Sequence, residues 1–157
     1  MGRTAIRPAR GEEAEALTSL AIRSKAHWGY SLEQMVTFRD ELTFTAKMVL
    51  ARRTQILEED GVVAAMYTLL GEGDELELEH LFVDPARLGR GHGRRLFRHA
   101  AEVARAAGAR ALIFKSDPNA AGFYRAMGAV DTGEIPSSIP GRTIPTFRLT
   151  LVGRGAS

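Results

Sequence analysis

Apolar residues along this chain alternate between two spacings, and the places where one gives way to the other mark out its elements. Thr4 to Pro8 (T-A-I-R-P) reads as a short first strand. From Glu12 to Lys25 the apolar positions Ala14, Leu17, Leu20 and Ala21 recur at helical spacing on one stripe. Ser31, with Glu33 and Gln34 in the turn that follows, predicts a helix N-cap, and helical spacing runs on from Leu32 to Leu50 with a break near Leu42 and Thr43. Gln55 to Glu59 and Val62 to Leu70 are strand-like and flank Asp60-Gly61, a dipeptide that favours a tight hairpin. After a turn at Gly71 to Asp74, the segment Glu75 to Val83 sets Leu76, Leu78 and Phe82 against Glu75, Glu77 and Glu79, a strand with one wet face. The stretch from Gly93 to Gly108 predicts a helix that buries Leu96, Phe97, Ala100, Val103, Ala104 and Ala107 and stops at Gly108. Ala111 to Phe114 predicts a strand, Asn119 to Met127 a short helix ended by Gly128, and Val130 to Ile135 and Ile144 to Leu151 the closing strands.

No repeat, low-complexity segment or linker interrupts this order. A length of 157 residues with 45% hydrophobic content suits one globular domain over 1–157, of the α+β class with a mixed sheet. No apolar run approaches the ~20 residues that cross a bilayer. The start M-G-R-T-A-I-R lacks a signal peptide's apolar segment, so the expectation is a cytoplasmic protein with no membrane partner. The absence of Cys excludes a disulfide framework, a thiolate metal site and an acyl-cysteine intermediate. The scattered histidines show no H-x-x-x-H spacing, so no metal is expected.

Candidate chemistry concentrates in Val83 to Leu96, V-D-P-A-R-L-G-R-G-H-G-R-R-L. Gly89, Gly91 and Gly93 fall at alternate positions between a strand and a helix. Without Cβ atoms there, the backbone can turn sharply and aim successive N–H groups at an anion, and the helix start adds its unpaired amides and dipole. Between Ala86 and Arg110 there are seven Arg and a single acidic residue, Glu102. Arg87, Arg90, Arg94 and Arg95 are expected to place their charges around the same spot, a field that suits a ligand with several phosphates. Arg98 and Arg105 are expected on the solvated outer face of the helix. Nucleic acid would suit the same field, but recognition motifs are missing and few aromatic residues lie near these arginines to stack bases, so no nucleic-acid partner is expected. Two familiar phosphate loops fail in their letters. Gly93 is followed by Arg94 and Arg95 rather than Lys and a hydroxyl residue, and the third glycine of G-x-G-x-x-G would fall on Arg94.

The segment Leu88, Gly89, Arg90, Gly91, His92, Gly93 resembles motif A of the GNAT superfamily of acyl-CoA-dependent N-acyltransferases, Q/R-x-x-G-x-G/A after a strand ending in V-x-P, with Leu88 in the Gln/Arg position and Arg87 one residue early. Asp117 to Ala129 (D-P-N-A-A-G-F-Y-R-A-M-G-A) is similar to motif B, N-x-x-A-x-x-F-Y-x-x-x-G. Ala120, Phe123, Tyr124 and Gly128 fall on that pattern, Asp117 takes the Asn position, and Asn119 lies two residues late. Arg23 to Tyr30, R-S-K-A-H-W-G-Y, resembles bacterial members of the family. The resemblance implies a mixed, mainly antiparallel central sheet flanked by helices, acetyl-CoA as co-substrate without a metal, and direct transfer of the acetyl group to a primary amine, on a small-molecule or peptide acceptor, in a ternary complex. It implies Leu88 to Arg94, Asn119 and Phe123 as cofactor contacts, and the main chain of Leu81, Phe82 and Val83 beside the thioester. Relatives often dimerise, which keeps a homodimer among the expectations.

Transfer from a thioester to an amine needs a base for the amine, donors for the developing oxyanion, and an acid for the departing thiolate. Tyr124 is the acid that the resemblance implies; a phenol of pKa ~10 can donate to a thiolate whose conjugate acid is ~8.5. The base is open among Glu77, Glu79 and His80. Glu77 and Glu79 share a strand face, with His80 on the other unless a bulge intervenes, and the same alternation describes an ordinary wet face. His80 titrates near neutrality without any shift. His27, Trp28 and Tyr30 lie where family members build the acceptor pocket, although a loop covering core would look the same. Arg142, in P-G-R-T, reads as a solvated turn residue. Alternatives to the acetyltransferase are use of another acyl-CoA, a non-catalytic acyl-CoA sensor, and an Arg-mediated nucleic-acid binder.

Overall fold

The computed structural model describes residues 2–152, so both ends of the expected 1–157 domain lie outside the described residues. Its strands are β1 (Thr4–Pro8), β2 (Arg53–Glu59), β3 (Val62–Leu70), β4 (Glu75–Val83), β5 (Ala111–Lys115), β6 (Val130–Pro136) and β7 (Thr143–Thr150). Its helices are α1 (Ala14–Ala26), α2 (Leu32–Phe38), α3 (Ala46–Ala51), α4 (His92–Ala106) and α5 (Ala121–Ala126). The strands form one seven-stranded mixed sheet in the order β1-β2-β3-β4-β5-β7-β6, flanked by helices. β1 and β2, β5 and β7, and β6 and β7 pair antiparallel, while β4 and β5 run parallel, Glu75 opposite Ala111.

Local chemistry sets the element ends. The Asp60-Gly61 turn adopts positive φ at both residues, 53° and 79°, the backbone that suits a two-residue hairpin between twisted strands. Ser31 caps α2, its hydroxyl accepting from the Gln34 amide while the Gln34 side chain accepts from the Ser31 amide. The apolar pattern from Leu32 to Leu50 splits into two short helices. Thr45 caps the second by accepting from Met48 N–H at 3.1 Å, and the Thr18 hydroxyl of α1 accepts from Phe44 N–H at 2.8 Å, which ties the break to α1. α4 ends in a Schellman arrangement at Gly108 (φ 95°), with Gly108 N–H donating to Arg105 C=O and Ala109 N–H to Ala104 C=O, both at 3.0 Å. α5 ends the same way at Gly128, whose N–H reaches Arg125 C=O while Ala129 N–H reaches Tyr124 C=O.

The described residues form two compact units interleaved in sequence: 2–68 with 80–97, and 69–79 with 98–152. In the first, Leu17, Leu20, Phe38, Ile56, Leu57, Met66, Tyr67, Leu96 and Phe97 are buried; in the second, Leu69, Leu76, Leu112, Phe114 and Phe147 are. Several expectations are corrected. α4 begins at His92 rather than Gly93. Val103 and Phe82 are half-buried, and Ala107 is exposed because it follows the end of the helix. Arg105 is paired with Glu102 and donates to Val152 C=O rather than standing in solvent, whereas Arg98 is exposed as expected. Arg142 is half-buried, its Nε donating to Ser137 Oγ at 3.1 Å.

Candidate functional site

The glycine-rich loop lies in the first unit and is anchored before it starts. Asp84 N–H donates to Ala64 C=O at 2.8 Å, the Asp84 carboxylate accepts from Ala86 N–H at 3.1 Å, and Arg23 reaches Asp84 at 3.3 Å. Pro85 to Arg87 then forms one 3-10 turn. Gly89 and Gly91 follow at φ 80° and 81°, the left-handed region that an L side chain resists. A Cβ built on either glycine meets nothing within 4 Å, so the demand for glycine is conformational and the space over the turn is open. Gly91 C=O accepts from Arg95 N–H at 3.0 Å, which makes Gly91 the N-cap of α4 and leaves the amides of His92, Gly93 and Arg94 without intrahelical acceptors. Successive amides at a helix start, reached through left-handed glycines under open space, fit a diphosphate.

Charge around the loop is distributed differently from the sequence reading, in which Arg87, Arg90, Arg94 and Arg95 converge on one spot. Arg87 Nη1 donates to Glu59 Oε1 at 2.6 Å, and Arg90 Nη1 donates to the same oxygen. Arg95 donates to the Thr4 hydroxyl. Arg94 is exposed. Glu59, the last residue of β2, is only 4% exposed, and hydrogen bonding from Arg87 and then Arg90 holds its carboxyl below the usual carboxylate range. His92 is 5% exposed, with Nε2 3.4 Å from Glu59 Oε2 and no hydrogen-bond partner. Nothing in the sequence reading singled out Glu59. The run Glu58-Glu59-Asp60-Gly61 looks like the solvated tip of a hairpin, and the one available signal was a basic loop with no acidic residue of its own.

The candidate bases sit on β4, with Glu77, Glu79 and His80 all half-buried, as are Leu81, Phe82 and Val83. In the first unit, His80 Nδ1 lies 2.9 Å from Thr68 Oγ1, and the imidazole packs against Phe44 and Phe82 with ring centroids at 5.0 Å and 5.7 Å. His80 and Phe82 thus lie on one face of the strand. Thr68 is a further contributor that sequence reading missed, because its place beside His80 depends on how β3 and β4 lie together.

Tyr124 belongs to the second unit. It is 8% exposed and packs against Phe114 (4.7 Å), Phe123 (5.1 Å) and Phe147 (6.1 Å). Burial pushes its phenol well above the usual range, so the hydroxyl keeps its proton at any physiological pH. Asn119 is exposed; its amide and its Nδ2 both donate to Asp117 Oδ1 at 2.9 Å, which makes Asp117 the cap of the turn leading into α5.

The acceptor-side candidates divide. Tyr30 packs edge-on to the buried Phe38 at 4.9 Å, with Lys25 Nζ over both rings. His27 and Trp28 are exposed and touch each other at 5.2 Å. Among the described residues, no helix is long and apolar enough to cross a membrane, and no group of His, Asp and Glu is arranged to hold a metal ion.

The family model described as acetyltransferase (GNAT) family matches residues 15–129. A GCN5-related N-acetyltransferase structure from Rhodopseudomonas palustris superimposes with a TM-score of 0.79 at 26% identity, over 96% of this chain and 98% of that one. The PaiA N-acetyltransferase of Thermoplasma acidophilum, solved with coenzyme A, gives 0.72 at 16% identity over 94% and 99%. YncA of Salmonella typhimurium, solved with its cofactor acetyl-CoA, gives 0.67 at 21% identity over 99% and 98%. No curated protein matches the chain. The family match spans both the glycine loop and the Phe123-Tyr124 block, and the fold agrees: the chain belongs to the acetyltransferase (GNAT) family.

Proposed function

We propose that this protein is an N-acetyltransferase that moves an acetyl group from acetyl-CoA to a primary amine by direct transfer in a ternary complex. The observation that carries the reading is the left-handed Gly89 and Gly91 turn opening onto the start of α4. The solved YncA and PaiA structures hold acetyl-CoA and coenzyme A respectively, which supports the same ligand class here. Acetyl-CoA supplies the acyl group as a thioester. The main-chain amides from Gly89 to Arg94 grip the diphosphate, Leu88 borders them, and Asn119 and Phe123 are assigned to the cofactor as well.

His80 is assigned as the base. In the tautomer whose Nδ1–H donates to Thr68 Oγ1, its Nε2 carries the lone pair that takes the amine's proton, directly or through water. Glu77 and Glu79, half-buried on the same strand, are the second reading for this role. The amides of Leu81, Phe82 and Val83 are assigned to the acyl oxygen as negative charge develops on it. Tyr124, kept neutral by burial, donates its proton to the leaving sulfur, and solvent exchange with His80 and Tyr124 restores both groups. His27 and Trp28 border the amine.

Release of free thiol from acetyl-CoA across a panel of primary amines tests the reading, with the Tyr124→Phe variant run beside the wild type. Turnover that this variant slows supports it. Thermal stabilisation by coenzyme A with no thiol release from any amine would identify a sensor, and salt-dependent binding of nucleic acid that coenzyme A does not displace would identify a different protein altogether.

A further inference from the structure

Arg87, Arg90 and His92 alternate with the two left-handed glycines of the loop, Gly89 and Gly91, and all three side chains turn towards one carboxylate. Arg87 precedes Gly89, Arg90 stands between the glycines, and His92 follows Gly91. We propose that Glu59 is the positioning residue of the phosphate loop: by holding the side chains of Arg87 and Arg90 on either side of Gly89, with the buried His92 ring beside its second oxygen, it fixes the amides of residues 89 to 94 in their binding arrangement before the ligand arrives. This rests on the reading of that loop as the diphosphate cradle.

The physical need is plain. Glycine has more backbone freedom than any other residue, so a loop containing Gly89 and Gly91 would be ordered by the ligand at the expense of affinity unless something orders it first. Glu59 can do so because it ends β2, paired with β1 through Thr4, and so belongs to the sheet rather than to the loop. Its two bonds to arginine are charge-assisted, and it is buried enough for those bonds to hold one geometry. His92 closes the arrangement from the helix side, buried with Nε2 near Glu59 Oε2. Glu59 touches neither substrate nor cofactor in this account; it acts through Arg87, Arg90 and the backbone between them.

A purely electrostatic view predicts the opposite of what positioning predicts, which makes the sign decisive. If Glu59 were merely an anion competing for the loop's arginines, Glu59→Gln would free positive charge and tighten coenzyme A. If it positions the loop, Glu59→Gln weakens coenzyme A about tenfold, the size of effect that follows from losing charge-assisted bonds. Glu59→Asp retains the charge but shortens the reach, and it should weaken binding as well.

The experiment is calorimetric titration of coenzyme A into the full-length wild type, Glu59→Gln, Glu59→Asp, Arg87→Gln and the Glu59→Gln/Arg87→Gln pair. It is accompanied by amide exchange over Leu88 to His92 without ligand, and by KM and kcat for acetyl-CoA once an amine is in hand. The expected result is a rise in Kd and in acetyl-CoA KM with a much smaller change in kcat, faster exchange across the loop, and a double variant little worse than Glu59→Gln alone. Should Glu59→Gln fail to fold, Glu59→Asp carries the same comparison. Unchanged or tighter coenzyme A binding by the folded Glu59 variants, beside a wild type that binds, overturns this inference and leaves the proposed function standing. A wild type that takes up no coenzyme A overturns both.

Discussion

Replacing Gly89 by alanine, with Gly73→Ala as its control, separates what the loop's conformation contributes to folding from what it contributes to ligand binding. The two glycines have nearly the same backbone, φ 80° and 85°, and a Cβ built on either meets nothing within 4 Å. Each alanine therefore carries only the left-handed strain, about 1–2 kcal/mol, with no clash added. For a chain of this size each kcal/mol lowers Tm by about 2–4 °C, so both variants should melt about 2–8 °C below the wild type. Gly73 lies in the turn between β3 and β4, which no part of the proposed site uses. At Gly89 the methyl would stand in the open space over the amides, where the diphosphate is proposed to sit, and strain would pull those amides out of line. A tenfold rise in Kd there removes about 1.4 kcal/mol of the stabilisation that saturating coenzyme A supplies, whereas Gly73→Ala should keep all of it. Thermal melts across a coenzyme A series read both quantities at once. If the Tm gain from coenzyme A is the same in the two variants, the amide cradle is not where the ligand binds.

Tyr124→Phe should fold, since the Phe114 and Phe147 packing is retained, and thiol release at saturating substrates should fall by about 10²–10⁴, the range for loss of a general acid. A fall below threefold would return Tyr124 to a packing role. His80→Gln should lower kcat/KM and abolish the limb of its pH profile on which activity rises with pH; a limb that persists would transfer the base role to Glu77 or Glu79. Glu13 gives a pH test of stability that is independent of the site. Hydrogen bonding from Arg7 holds its carboxyl at about 2, below its ordinary 4.5, so its contribution is present above pH 4.5 and is lost as pH falls from there towards 2. Glu13→Gln should lower Tm by about 2–4 °C at pH 7, as expected for about 1 kcal/mol, with the gap to wild type closing near pH 2; an equal gap at both values would show that the loss is not ionic.

Much of this fold was legible one segment at a time, because the rules that place its element ends act over a few residues. Asp60-Gly61, the Ser31 cap and the stops at Gly108 and Gly128 each declare themselves through backbone freedom or a nearby hydroxyl. The anion loop was legible for the same reason, since left-handed turns at Gly89 and Gly91 follow from glycine spacing. The long pattern from Leu32 to Leu50 was less so. Its break is stabilised by Thr18, 26 positions away in the chain.

Side-chain partners across the fold were another matter. Sequence by itself determined where the chain turns, which stretches are strand or helix, and that a run of amides opens a helix within a basic segment. Only the tertiary structure decided that Arg87 and Arg90 answer to Glu59, that Thr68 lies beside His80, and that Tyr124 sits among aromatic rings where burial raises its phenol further. The reason is one of range. Backbone preference is a property of a residue and its immediate neighbours, whereas the partner of a charge and the solvent around a phenol depend on segments that meet only once the sheet has formed.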